Sequence, residues 1–403
     1  MTLIDSPPRF TQRLAPEFFD RVQQRLLPAL EENGFDALLT DDPEDVAYLT
    51  GFFHHPCERP VAVWLERSGR VVLMTPELER ENALRQNARA EVVSYAEFPG
   101  IEPPFASLAR VVDRIGGGSR MRVGFTTHMT NERLTASAAQ LPDASYLPTT
   151  IVTEARYLKF DEEIALHREA ARVTDVMLEA GVSLVREAVA SGGQLPSEAE
   201  LNSHVTGTGV RTMYAEHDDV VVVSPLAGAL VYAGANSAFP HGLPSGYRLR
   251  DGDTFMLSLG CAVGGRFVEG ERTFVLGTPS PEQRLYHETI RRAQEVGGVA
   301  IRPGAECRQA NATCLAVIED AGLGHFIRHR QGHGIGLGMH EPPWLEAGDP
   351  TLLAPGMVVS NEPGIYIPGH AGYRISDSIL VTEAGSEPLT AFPRGLDDCT
   401  IPL

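Results

Sequence analysis

Apolar residues recur at helical spacing in some stretches of the chain and run together or alternate in others. Between Ala15 and Gly34, Phe18, Val22, Leu26, Leu27 and Leu30 fall on one side of a 3.6-residue wheel, which predicts an amphipathic helix closed by Asn33-Gly34. Ala37–Thr40 reads as a short strand and Pro43–Leu49 as a short helix ending near Gly51. Val61–Leu65 and Arg70–Thr75 read as a hairpin turning at Ser68-Gly69, Pro76–Gln86 as a helix, and a βαβ-like passage reaches Pro142. A long amphipathic helix is predicted from Glu162 to Ala190, with Ile164, Ala171, Val173, Met177 and Val182 on its apolar stripe. Pro196-Ser197-Glu198 opens another helix, and Val220–Ser224 reads as a buried strand. From Gly252 onward strands and glycine turns dominate, interrupted by helices at Pro281–Ile301 and Cys307–Gly322. Within that region Met256–Thr273 reads as a strand, a tight turn at Gly264-Gly265 and a second strand.

This pattern and a length of 403 residues exceed one ordinary core. They imply an α/β domain over residues 1–157 and an α+β domain over 158–403, with Pro-rich residues 1–15 as an arm and Arg156–Asp161 as the link. A hydrophobic content of 43% and a charged content of 22% suit a globular protein. The net charge of −19 argues against a nucleic-acid surface, which needs a clustered basic face. Five cysteines (Cys57, Cys261, Cys307, Cys314, Cys399) are odd in number and lack paired-knuckle spacing, so reduced structural thiols are expected. The opening MTLIDSPPRF has no basic stretch followed by an apolar run, and no segment reaches membrane-spanning length. A cytoplasmic enzyme acting on a small molecule is the expectation.

Five blocks gather the candidate chemistry: NSAFPHGLP (Asn236–Pro244), MLSLGCAVGGRFVEGERT (Met256–Thr273), QGHGIGLGMHEPP (Gln331–Pro343), SNEPGIYIPG (Ser360–Gly369) and GYRISDSILVT (Gly372–Thr382). In order and spacing they resemble the creatinase/aminopeptidase P family, the pita-bread hydrolases. The resemblance implies a C-terminal pita-bread α+β domain, an N-terminal α/β domain and a homodimer. In the family's peptidases, two aspartates, a histidine and two glutamates hold two divalent ions, whose mutual repulsion several carboxylates must offset. Those positions fall here on Ser258, Glu269, His333, Glu362 and Ser376. Only two carboxylates remain, and hydroxyls are poor ligands for a dication, so a dinuclear site is not expected. One ion on Glu269, His333 and Glu362 stays possible, because one histidine with two carboxylates is an acceptable ligand set.

Creatinase is the family member that works without metal. SLGC (Ser258–Cys261) resembles its SLNC run, and Glu271 matches the glutamate that contacts the substrate's guanidinium-like group where peptidases have threonine. His241 aligns with the histidine that serves as general acid/base, a role that an imidazole titrating near neutrality suits. His333 and His340 would then stabilise charge on the carbonyl side. Arg59, in FHHPCERP, falls on the arginine that creatinase sends into its partner's cleft to hold a carboxylate. A second carboxylate-binding arginine has no counterpart, Trp344 standing near its place, which counts against creatine itself. Arg374 would support the cleft; Tyr232 and Tyr366 would line the pocket or belong to the core; Cys261 lacks a basic partner for a nucleophile's role. The expectation is therefore metal-independent hydrolysis of a C–N bond in a small amidine, amide or creatine-like substrate, with no cofactor. His241, Glu271, Glu362 and His333 would be catalytic, and Arg59, Glu269, His340 and Tyr366 would bind substrate. The competing readings are an Xaa-Pro-type aminopeptidase or dipeptidase with an altered, mononuclear site, and a silent binding protein on the same fold.

Overall fold

The computed structural model describes residues 9–112, 121–223 and 226–403. By its internal contacts the chain divides into two units: Arg13–Arg156 with Val221–Val223, and the rest of the chain.

The N-terminal unit runs α1 (Pro16–Glu32), β1 (Ala37–Thr40), α2 (Pro43–Thr50), β2 (Ala62–Glu66), β3 (Val71–Pro76), α3 (Glu77–Arg85), β4 (Glu91–Tyr95), α4 (Pro104–Val111), β5 (Met121–Thr126), α5 (Asn131–Gln140), β6 (Ala144–Thr149) and α6 (Ile151–Ala155). Its six strands lie in the order β4-β3-β2-β1-β5-β6, with β1–β2 and β2–β3 antiparallel and the other neighbours parallel. Leu39, Trp64, Val72 and Met74 carry the core between this sheet and α4. The α1 stripe predicted from spacing is buried at Phe18, Val22, Leu26 and Leu30. Asp42 starts α2 by accepting the amides of Glu44 and Asp45, and Gly51 ends it at φ 73°, a conformation cheap only for glycine.

The C-terminal unit opens with α7 (Asp161–Ala190) and α8 (Glu198–Glu216), then β7 (Ala227–Ala233), β8 (Thr254–Val263) and β9 (Arg266–Leu276). There follow α9 (Pro281–Ala300), α10 (Cys307–Asp320), β10 (Gly332–Gly334), β11 (Glu341–Leu345), β12 (Val358–Asn361), β13 (Gly364–Ile367), β14 (Ala371–Arg374) and β15 (Ser376–Thr382). The main sheet takes the order β11-β10-β12-β15-β9-β8-β7 and is antiparallel along this path. The β8–β9 hairpin closes through Gly264 and Gly265 at φ 57° and 77°, the signs a two-residue turn of matching twist requires. α7 buries Ala171, Val173, Met177 and Val182 of the predicted stripe, leaves Ile164 half-buried, and adds Leu166 and Ala170. No helix among the described residues is long and apolar enough to cross a membrane.

One expectation fails. Val220–Val223 forms no strand, and Val222 is 45% exposed; among the described residues no strand pairs with this apolar run. Ser224, its last predicted residue, lies outside the described residues, as does most of the predicted arm. The described end of that arm is tied down, Phe10–Thr11 pairing in parallel with His217–Asp218.

Candidate active site

Sheet register brings the site together. Ser258 on β8 lies opposite Glu271 on β9, and Glu271 lies opposite Ser376 on β15, so the three form one row across three strands. Glu269, two residues before Glu271, projects to the same face. β10 adds His333, and Glu362 follows directly on β12. Close backbone approach makes this possible: a Cβ at Gly332 would run into the Ser360 carbonyl, and one at Gly334 into that of Pro342. Glu269, Glu271, His333, Glu362, His340, His241 and Arg374 all line one cleft of about 810 Å³. A larger hollow of about 1030 Å³ beside α9 holds no histidine, and its Arg291 pairs with Glu288.

The cleft has two halves. In one, His333 lies buried with Nδ1 3.0 Å from the Gly334 carbonyl. Its Nε2 has no hydrogen bond, yet sits 3.4 Å from Oε1 of Glu362 and 3.7 Å from Oε2 of Glu269. His340 stands edge-on to it with ring centroids 4.2 Å apart, and a nitrogen of His340 lies within 4.8 Å of ligand atoms of Glu269 and His333. Burial opposes charge on His333, but Glu269 and Glu362 outweigh it and lift the imidazole to about 9. Burial likewise opposes charge on Glu362, and the neighbouring His333 holds that carboxyl down at about 2. Burial and then Glu362 raise the Glu269 carboxyl. Burial and the charge of His333 lower His340 to about 4.

In the other half Glu271 meets a guanidinium, and it is the protein's own. Arg374 donates to Glu271 Oε1 at 2.7 Å and to the Ser258 hydroxyl at 3.0 Å, and its Nε pairs with Glu271 Oε2. Its remaining terminal nitrogen donates to the Tyr366 hydroxyl at 3.0 Å. Ser258 in turn donates to Glu271. Burial raises the Glu271 carboxyl above the ordinary glutamate value even with Arg374 beside it. The sequence-based role of Glu271, holding a cationic substrate, is corrected on this ground: its charge is already matched from β14.

A test of metal fit follows from these contacts. Ligand atoms of Glu269, His333 and His340 lie within 4.8 Å of one another and Glu362 faces the same His333 Nε2 at 3.4 Å, so this mixed nitrogen and carboxylate set suits one divalent ion, with Nδ1 fixed by its backbone partner. A second ion does not fit. Ser376 donates to Glu269 Oε1 at 2.8 Å, Ser360 donates to the same oxygen, and Ser258 is engaged by Glu271 and Arg374. The Arg374 charge would also repel a dication there.

The remaining candidates are dispersed. Tyr366 is not among the cleft-lining side chains; its hydroxyl lies between Arg374 and His329 Nε2, the latter at 2.9 Å. Tyr232 is buried and donates to the Pro240 carbonyl at 2.5 Å. Arg59 belongs to the N-terminal unit, where it pairs with Glu58 at 2.6 Å and Glu97 at 2.7 Å. Near Trp344 an arginine does stand: the Arg330 guanidinium lies 4.1 Å over its ring and pairs with Glu346. The Cys261 thiol is buried, donates to the Ala170 carbonyl, and is pushed up to about 12 by burial, consistent with an inert thiol. His329, Ser360 and Arg330 were not anticipated; His329, four residues before His333 in HRQGH, had only that proximity as a signal.

The model of metallopeptidase family M24 matches residues 165–383, and that of the creatinase/prolidase N-terminal domain matches residues 23–157. The chain belongs to metallopeptidase family M24. Its fold is the pita-bread fold of that family with a creatinase/prolidase-type N-terminal domain. An Xaa-Pro dipeptidase from Bacillus anthracis superposes with a TM-score of 0.81 at 29% identity, over 94% of this chain and 99% of that one. The dipeptidase PepE from Mycobacterium ulcerans gives 0.82 at 28% identity, over 97% and 100%. An uncharacterized peptidase of Staphylococcus aureus strain USA300 is 29% identical over 92% of this chain and 99% of its own length.

These similarities overturn the expectation of a metal-independent, creatine-like hydrolase. The neighbours named are dipeptidases, and the matched family is one of metallopeptidases. The lost carboxylates argue against a pair of ions and carry no argument against one. This M24 chain is a hydrolase of the C–N bond class.

Proposed function

We propose that the chain is an Xaa-Pro-type dipeptidase with an altered site that takes one divalent ion on Glu269, His333 and Glu362. The observation that carries this reading is the buried Nε2 of His333, without a hydrogen bond and facing two carboxylates. Similarity over nearly the whole chain to an Xaa-Pro dipeptidase and to a second dipeptidase supports the substrate class. When bound, the ion supplies Lewis acidity and a water of lowered pKa.

The chain's own residues do the rest. Glu269 and Glu362 hold negative charge on either side of His333, and Ser360 and Ser376 fix the Glu269 carboxylate by donating to it. His340, at the cleft rim, donates toward oxygen charge developing on the scissile carbonyl. His241, which lines the same cleft, gives a proton to the departing nitrogen. Arg374, neutralised by Glu271, keeps a fixed dipole where a second ion would stand in a dinuclear peptidase.

The test is hydrolysis of Ala-Pro and Ala-Ala by purified protein, before and after chelation and after return of manganese, cobalt or zinc. The reading expects hydrolysis that chelation abolishes and one of the metals restores. Activity indifferent to chelation, or no hydrolysis with any metal, would overturn it.

A further inference from the structure

The segment that carries His241 is held from outside the cleft by one carboxylate. Glu198, at the first turn of α8, is 1% exposed, and both its oxygens are engaged by the loop between β7 and β8. Oε1 accepts from the backbone N–H of Ala233 at 2.7 Å and from Nδ2 of Asn236 at 3.2 Å. Oε2 accepts from the backbone N–H of Ser245 at 2.8 Å and from its hydroxyl at 2.6 Å. One side chain thus ties together the two ends of the loop, and His241 lies between them.

The rest of the loop is fastened to the same frame. Helix α8 receives the loop's far end through the amides of Glu198 and Ala199, which donate to the carbonyls of Tyr247 and Ser245 at 2.9 and 3.0 Å. The buried Tyr232 hydroxyl donates to the carbonyl of Pro240, the residue just before His241. Gly242 closes the turn by donating to the Phe239 carbonyl at 3.0 Å. His241 itself is exposed and has no element of its own to fix it. A buried carboxylate with four donors and no cationic partner among them is costly to build unless the geometry it fixes is used.

We propose that Glu198 is a positioning residue for His241. It closes the loop into the one shape that presents the imidazole to the cleft. This rests on the reading of His241 as the proton donor to the leaving nitrogen, while the clamp itself is read from contacts alone. Glu198→Gln replaces one acceptor oxygen by an amide nitrogen. Whichever way the amide turns, one end of the loop loses both acceptor contacts. Ser245→Ala leaves the Ser245 N–H on Glu198 but removes the hydroxyl donor, and with it the acceptor used by the Tyr247 N–H at 3.0 Å and Asn236 Nδ2 at 3.4 Å.

The experiment is ring C–H NMR of selectively labelled histidines in the full chain, with the His241 resonance assigned by its loss in His241→Ala. In both variants the His241 resonance is expected to shift or broaden while those of His333 and His340 stay in place. Bound metal is expected to remain unchanged. With Ala-Pro as substrate, kcat is expected to fall about 100-fold in Glu198→Gln, the scale of a 1 Å misplacement, and less in Ser245→Ala, with KM little changed. An unmoved His241 resonance in folded Ser245→Ala and Glu198→Gln proteins would overturn the clamp. A displaced resonance with unchanged kcat would overturn the catalytic use of His241 and leave the clamp standing.

Discussion

Glu271→Gln isolates the ion pair that replaces half of a dinuclear site. Glu271 and Arg374 are 4% and 5% exposed, so the substitution leaves a buried guanidinium without its main counter-charge while barely changing volume. Removing one partner of a buried pair costs about 3–5 kcal/mol. Glu362 also favours the Arg374 charge, which places the expected loss at the lower end, about 3 kcal/mol. For a unit of this size each kcal/mol lowers Tm by about 2–4 °C, so the shift should be about 6–12 °C. The assay is calorimetric and urea unfolding of wild type, Glu271→Gln, Arg374→Met and the double variant, following the transition of the C-terminal unit. The double variant should recover much of the loss, giving a coupling of about 2 kcal/mol or more. A single loss below about 1 kcal/mol, or additivity within about 0.5 kcal/mol, would refute a charged, mutually dependent pair.

Restoring the dinuclear donor pattern by Ser258→Asp, Glu269→Asp, Glu271→Thr and Ser376→Glu together should raise bound metal from one ion to two per chain, read by elemental analysis. An unchanged count would show that donor identity is not what excludes the second ion. His167 is fully buried, and burial, with Lys159 and Arg266 nearby, holds it down at about 3. The unfolded chain binds that proton near the ordinary histidine value of about 6.5, so stability falls as pH drops from there toward 3, by up to about 1.4 kcal/mol per unit. His167→Gln should therefore lose less stability than wild type between pH 6.5 and 5 in urea titrations; parallel curves would contradict a buried neutral imidazole.

Elements with a strong period were readable. The α1 and α7 stripes, the β2–β3 hairpin and the Gly264-Gly265 turn all lie where spacing and glycine chemistry put them. The Val220–Val223 run was not, because an apolar tetrad says nothing about whether a strand lies alongside it. The same divide runs through the site. Glu269, His333 and Glu362 were named from motif positions, and the structure brings them together. The Glu271–Arg374 pair spans 103 residues, and the Glu198–Ser245 pair spans 47. Such pairings depend on sheet register and loop course, which no local spacing encodes. Counting carboxylates argued against two ions, yet it could not reveal that the surviving ones face the buried His333 Nε2 at 3.4 and 3.7 Å.

The most direct test of a single-ion site is native mass spectrometry with elemental analysis on the full chain, loaded with manganese, cobalt or zinc and then dialysed. The account predicts one ion per chain, lost in His333→Ala. Two tightly held ions per chain, or one that His333→Ala does not displace, would contradict it.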